Sequence, residues 1–87
     1  MKIAVWDTYV VQHDQKIMHF DILVSSDTTD EQTIFGYGEQ YLRTRSFATG
    51  EITARECKFC HIEHADENTI QSILQHGFAI IEMENCT

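Results

Sequence analysis

The segment ECKFCHIEH, at residues 56–64, contains two of the three cysteines and two of the five histidines in this chain. Cysteine and histidine are residue types that bind zinc, and two cysteines separated by two residues form a common half-site. The candidate zinc ligands are Cys57, Cys60, His61 and His64. A regular strand would place Cys57 and Cys60 on opposite faces, so both could bind one ion only if the segment turned, and it contains no glycine. We therefore favour packed cysteines beside a surface histidine, with a structural zinc as the open alternative.

The same segment matches two other cysteine patterns. C-x-x-C-H is the pattern of covalent haem attachment, but that chemistry requires export, and the residues after Met1 do not resemble a signal peptide. C-x-x-C also occurs in thioredoxin-like proteins, where the first cysteine lies at a helix N-terminus that lowers its pKa. Here the next predicted helix begins only at residue 67, so we favour neither haem attachment nor disulfide exchange.

A second group of candidate residues comes from a predicted β-hairpin. Residues 2–11 and 17–24 are rich in β-branched and aromatic side chains, and a short polar turn separates them. Pairing Val11 with Ile17 across this turn divides the side chains between two faces of the hairpin. The apolar face, which we expect to be the core, comprises Ala4, Trp6, Thr8, Val10, Met18, Phe20, Ile22 and Val24.

The other face of the hairpin is polar. The same register places Asp7 opposite Asp21 and Tyr9 opposite His19, and two carboxylates opposed across a ladder repel each other. A bound cation, a shared proton, a nearby histidinium or surrounding water would offset this repulsion. Such a surface suits acid–base chemistry or a hard cation. With two residues of the third strand, the candidate polar site comprises Asp7, Tyr9, His19, Asp21, His61 and Glu63, and Glu82 is a further candidate.

The assignment of third-strand residues to this site depends on strict alternation. Residues 56–63 have an extended pattern, in which successive side chains point to opposite faces. One face then receives Cys57, Phe59, His61 and Glu63, and the other receives Lys58, Cys60, Ile62 and His64. We expect Cys60 and Ile62 to lie in the core.

The first helix is predicted over residues 29–45. Thr28 and Glu31 have the spacing of a capping box, and apolar residues recur on one face of the segment. Gly36 and Gly38 weaken such a helix by about 1 kcal/mol each relative to alanine. Because Gly38 lies on the apolar stripe, we expect it to permit close packing on the sheet.

The second helix is predicted over residues 67–76, with Asp66 as N-cap and Gly77 just after its last turn. Residues 46–55 are expected to form a loop and residues 78–83 a closing strand. The predicted order is β-β-α-β-α-β, which places residues 1–87 in a single α+β domain. We expect a two-layer α/β sandwich, with a four-stranded mixed sheet and two helices on one side.

The charge of the chain limits its partners. Fourteen acidic and six basic residues give a formal net charge of −8, which repels nucleic acids and anionic membranes. No apolar run approaches the ~20 residues of a membrane span, so the cytoplasm is the expected location. Three cysteines cannot all pair with one another, and a reducing compartment would keep them as thiols.

Four segments resemble a known family: VWDTYV, MHFDILV, CKFCHIE and IIEMENC. Together they make the chain similar to the small bacterial domain-of-unknown-function family twenty-twenty-four, over nearly its whole length. The resemblance implies a compact α+β single domain and carries over no catalytic residues. This family more often has glycine where Asn85 stands, and asparagine also tolerates a left-handed backbone.

The residues together favour a small acidic cytoplasmic binding or interaction module with a polar sheet face over an enzyme. One alternative is a zinc protein using the cysteine–histidine segment, and a second is an acid–base enzyme using Asp7, His19 and Asp21. No cofactor is predicted apart from the zinc alternative. The expected partner is a small molecule or a protein. A homodimer is also expected, because two helices on one side would leave a sheet face or a strand edge uncovered.

Overall fold

The computed structural model of the protein describes residues 1–45 and 51–86. In chain order its elements are β1 (Lys2–Val11), β2 (Ile17–Ser25), α1 (Glu31–Leu42), β3 (Cys57–His64), α2 (Glu67–His76) and β4 (Ala79–Glu84). The predicted α+β class and element order are therefore confirmed. Residues 46–50 of the predicted loop lie outside the described residues. Within the described residues, no helix has both the length and the apolar character needed to cross a membrane.

The four strands form one sheet in the order β3-β1-β2-β4, and every neighbouring pair is antiparallel. The expectation of a mixed sheet is therefore wrong. The hairpin occupies the centre of the sheet, and each outer strand pairs in the opposite direction to its hairpin neighbour. The predicted register of the hairpin is confirmed, with Val11 opposite Ile17 and Asp7 opposite Asp21.

The sheet has two faces of different character. The core face carries the even-numbered residues of the central strands, and every large apolar side chain among them is buried, from Trp6 at 8% exposure to Phe20 at 0%. The open face carries the odd-numbered residues: Ile3, Val5, Asp7 and Tyr9 on β1, and His19, Asp21 and Leu23 on β2.

Helix α1 covers the core face with Ile34, Phe35 and Leu42. Its N-cap is Asp30, whose side chain accepts a hydrogen bond from the backbone N–H of Thr33 at 3.0 Å, so the predicted start at residue 29 with a Thr28 capping box is wrong. Aspartate is at least as favourable an N-cap residue as threonine, so the helix can be capped by Asp30 rather than by Thr28.

Gly38 of α1 lies directly over the sheet. A Cβ atom at this position would lie 2.8 Å from Ile22 Cδ1 and closer still to Ile52 Cδ1. The expected close packing of the helix on the sheet at Gly38 is therefore confirmed.

Helix α2 packs on the open face, where Ile73 contacts a cluster that contains Ile3, Val5 and Leu23. The two helices therefore lie on opposite faces, and the expected two-layer sandwich with both helices on one side is wrong. The physical reason is that one half of the open face is apolar and must be buried against another element. The predicted ends of α2 are confirmed, with Asp66 as N-cap and Gly77 in the left-handed conformation at φ 90°.

Candidate functional site

Three polar side chains from the central strands converge on the open face, outside the apolar cluster that α2 covers. Single ligand atoms of Asp7, His19 and Asp21 all lie within 4.8 Å of one another. His19 Nε2 lies 3.6 Å from Asp21 Oδ1 and 3.9 Å from Asp7 Oδ1. Both distances exceed the ~2.7 to 3.2 Å of a protein hydrogen bond. Antiparallel pairing of β1 with β2 creates this group, because it sets Asp7 opposite Asp21 and His19 one pair away on the same face.

Two atoms of this group are buried without a hydrogen-bond partner, and they lie 3.6 Å from each other. His19 Nε2 and Asp21 Oδ1 are both inaccessible to solvent, and neither makes a hydrogen bond. The side chains of His19 and Asp21 are 18% and 14% exposed. Leaving a buried polar atom unsatisfied costs about 1 to 3 kcal/mol. Native structures rarely carry such atoms without a reason, and a bound ion is one such reason.

The electrostatics of the group favour the protonated form of Asp21 and raise its pKa. Burial is the largest cause that raises the pKa of Asp21 to about 6, and the hydrogen bond and the negative charge of Asp7 add to it. Charge interactions with His19 and His61 lower this pKa and offset part of the rise. A cation between the two carboxylates would remove the repulsion that contributes to this shift.

Tyr9 fixes the orientation of the histidine. The rings of Tyr9 and His19 stack with centroids 4.1 Å apart and an interplanar angle of 12°. Beside this pair lies a cavity of about 260 Å³, which offers space for a small molecule next to the three converging side chains. The cavity is lined by Asp7, Tyr9, Arg55, Glu56 and Lys58.

A β-bulge in β3 changes which of its residues face this site. Val5 pairs with His61, but the next residue, Trp6, pairs with Phe59, so Cys60 is the extra residue of the bulge. Strict alternation therefore fails between Phe59 and His61. The expectation that Cys60 and Ile62 lie in the core is wrong, because Cys60 is exposed and Ile62 is 46% exposed.

The bulge places Cys60 in contact with His61. Cys60 Sγ lies 3.1 Å from His61 Nδ1, and His61 Nε2 lies 3.2 Å from Glu63 Oε2. If Nε2 carries the proton shared with Glu63, Nδ1 is free to accept a proton from the thiol. Desolvation and then the neighbouring Asp7 carboxylate raise the pKa of the Cys60 thiol, so Cys60 lies beside the group of three.

The structure thus separates the residues of the cysteine–histidine segment. Cys57 is buried within the core-face cluster, opposite Thr8, whereas Cys60 and His61 lie on the open face. His64 pairs with Lys2 at the far end of the strand. Within residues 1–45 and 51–86, Cys57, Cys60, His61 and His64 do not form a group that could hold one ion.

Of the predicted polar site, Asp7, Tyr9, His19 and Asp21 lie together, and His61 contacts Glu63 beside them. Glu82 does not join this site, because it accepts hydrogen bonds from Tyr41 and Arg45. Sequence reasoning assigned Cys60 to the core and so missed its position beside the polar site, since no glycine marks the bulge that turns it.

The fold and this site define a small antiparallel α+β domain with a half-open polar sheet face. The chain belongs to the family described as Domain of unknown function (DUF2024), which matches residues 1–83. It is similar to protein NE1680 from the bacterium Nitrosomonas europaea, whose structure was solved by NMR. The two are 37% identical, the match covers 100% of both chains, and the TM-score is 0.85. No curated protein matches the chain. The resemblance to a small bacterial family is confirmed, and Asn85 has the left-handed backbone expected there, with φ 56°.

Proposed function

We propose that this protein is a small binding module for a divalent cation, which Asp7, His19 and Asp21 hold on the open face. The observation that carries the proposal is the pair of solvent-inaccessible, unpartnered atoms, His19 Nε2 and Asp21 Oδ1, beside the Asp7 carboxylate. Ligand atoms around a tetrahedral ion with bonds of ~2.1 Å are about 3.4 Å apart. The two separations from His19 Nε2, 3.6 and 3.9 Å, are close to this value, and the separation between the two carboxylates is no more than 4.8 Å.

The charge of the site supports the same function. An ion would satisfy both unpartnered atoms and neutralise two carboxylates that otherwise repel each other. The net charge of −8 also raises the local concentration of cations near the surface. Two carboxylates and one imidazole leave further coordination positions for water or for a molecule in the adjoining cavity.

Calorimetric titration of the chelator-treated protein with Zn²⁺ tests this proposal. We expect one ion per chain, and we expect Asp21→Asn and His19→Gln to weaken binding at least tenfold. Asp27→Asn is the matched control, because it removes the same charge from an exposed position away from the site. Equal affinities for Asp21→Asn and the parent protein would contradict the proposal.

A second candidate function is acid–base catalysis by Asp21 and His19, and the pKa of about 6 for Asp21 favours it. A general acid or base works best when its pKa lies near the operating pH. The cavity beside Asp7 would then hold the substrate. Carbon-13 NMR titration of the Asp21 carboxyl group in metal-free protein tests this candidate, because an ordinary value near 3.8 would remove its basis.

The proposed setting is the cytoplasm, with a small molecule or a protein as partner and without nucleic acid or membrane. The acidic surface supports this choice of partner. A homodimer remains part of the proposal, because both outer strands carry exposed apolar side chains, Phe59 and Ile62 on β3 and Ile81 and Met83 on β4. Light scattering that shows a monomer at every accessible concentration would remove the dimer.

A further inference from the structure

Of the three cysteines of the chain, Cys60 lies at the β-bulge and is the exposed one. Cys57 and Cys86 are buried and belong to the core-face cluster, whereas Cys60 is exposed on the open face. Its thiol lies 3.1 Å from His61 and beside the carboxylate of Asp7. A soft sulfur ligand therefore adjoins a group of two oxygen ligands and one nitrogen ligand.

We propose that Cys60 is a further ligand to the ion held by Asp7, His19 and Asp21, so that the site binds Zn²⁺ in preference to Mg²⁺ or Ca²⁺. This inference rests on the proposed cation-binding function and names the class of ion. Thiolates select zinc and similar thiophilic metals, whereas Mg²⁺ and Ca²⁺ are bound almost entirely by oxygen ligands. Four ligands of types O, N, O and S also match the coordination number that zinc prefers.

The geometry requires one adjustment, a rotation of the Cys60 side chain. Sγ is not part of the group whose ligand atoms lie within 4.8 Å of one another. Because Cys60 is exposed, its side chain can change to another staggered rotamer, which moves Sγ by about 3 Å. The bulge already directs the side chain toward the open face, beside His61 and Asp7.

A neighbouring residue, His61, can accept the proton of the Cys60 thiol. Zinc binding requires the thiolate, so the S–H bond breaks as the S–Zn bond forms and the proton must leave. His61 Nδ1, at 3.1 Å, can accept this proton and pass it to solvent, while Glu63 holds the opposite ring nitrogen at 3.2 Å. In this arrangement His61 and Glu63 are positioning residues, and they do not bind the ion.

Cobalt substitution tests the inference, because a thiolate ligand to Co²⁺ produces an intense sulfur-to-metal charge-transfer band in the near ultraviolet. We expect this band when Co²⁺ is added to the reduced protein, and we expect Cys60→Ser to abolish it. Cys57→Ser and Cys86→Ser are the matched controls and should retain the band. The affinity for Zn²⁺ should fall at least tenfold in Cys60→Ser, with no comparable change for Mg²⁺.

A second measurement needs no variant. Saturating Zn²⁺ should slow alkylation of Cys60 by iodoacetamide at least tenfold, as measured by mass spectrometry of the modified peptide. If Co²⁺ binds without the charge-transfer band and Zn²⁺ leaves alkylation unchanged, Cys60 is not a ligand, although the cation site itself stands. If neither ion binds the parent protein, the proposed function and this inference both fail.

Discussion

The two faces of the central hairpin are built from alternate residues of the same strands, yet they have opposite environments. On the core face, Phe20 and Ile22 are fully buried under α1. On the open face, Asp7 and His19 lie outside the apolar cluster on which α2 packs. Because neighbouring residues of a strand point in opposite directions, one hairpin can carry stabilising apolar side chains on one face and candidate ligands on the other. Substitutions on the two faces should therefore have different consequences.

The largest expected effect is on the core face. Phe20 is 0% exposed and its ring lies 4.7 Å from that of Tyr41. Phe20→Ala should lower the free energy of unfolding by about 3 to 5 kcal/mol, because it leaves a cavity. Tyr9→Ala, on the open face at 50% exposure, should lower it by about 1 kcal/mol or less. Urea unfolding measures both variants, and similar losses would contradict the contrast between the faces.

An intermediate effect is expected at Asp21, with the opposite sign. Its pKa is raised from 3.8 to about 6, so its contribution to stability is fully present below pH 3.8 and is lost as the pH rises through 6. Asparagine resembles the protonated acid. In metal-free protein, Asp21→Asn should therefore raise the free energy of unfolding at pH 8 by about 1 to 2 kcal/mol.

The gain from Asp21→Asn should disappear near pH 4, where the parent carboxyl group is itself largely protonated. Urea unfolding with chelator present at both pH values provides the measurement. A variant less stable than the parent protein at pH 8 would mean that the charged Asp21 is stabilised in the fold, against the open-face electrostatics described above.

The smallest expected changes in the free energy of unfolding are at two glycines of α1. Gly36 has no atom within 4 Å of an added Cβ, whereas one at Gly38 would collide with Ile22 and Ile52. Gly36→Ala should raise the free energy of unfolding by about 0.5 to 1 kcal/mol through helix propensity. Gly38→Ala should lower it by about 1 kcal/mol, since crowding outweighs the same gain. Thermal unfolding distinguishes the two, and equal stabilisation would contradict the close packing of α1 on the core face.

Features set by local chemistry could be predicted from the sequence. The hairpin register follows from the polar turn and the alternation around it, and it correctly placed Asp7 opposite Asp21. Helix α2 follows from the capping residues Asp66 and Gly77. These features depend on residues near one another in the chain, so a single sequence is enough to specify them.

Features set by contacts between distant segments could not be predicted in the same way. The bulge at Cys60 exists only in relation to the pairing of β3 with β1, and nothing in the local sequence marks it. The apolar stripe of α2 fits either face of a sheet in principle. The apolar residues Ile3, Val5 and Leu23, on the face of the hairpin opposite the core face, were the available signal, because they must be buried against another element.

Zinc titration of nitrogen-15-labelled protein, followed by amide NMR, tests the central claim most directly. We predict that one equivalent of Zn²⁺ shifts the signals of Asp7, His19 and Asp21 on the open face and leaves those of Ile34 and Leu42 in α1, which covers the core face, nearly unchanged. Absence of any shift at one equivalent, or shifts confined to residues away from Asp7, His19 and Asp21, would contradict the assignment of the open face as a cation site.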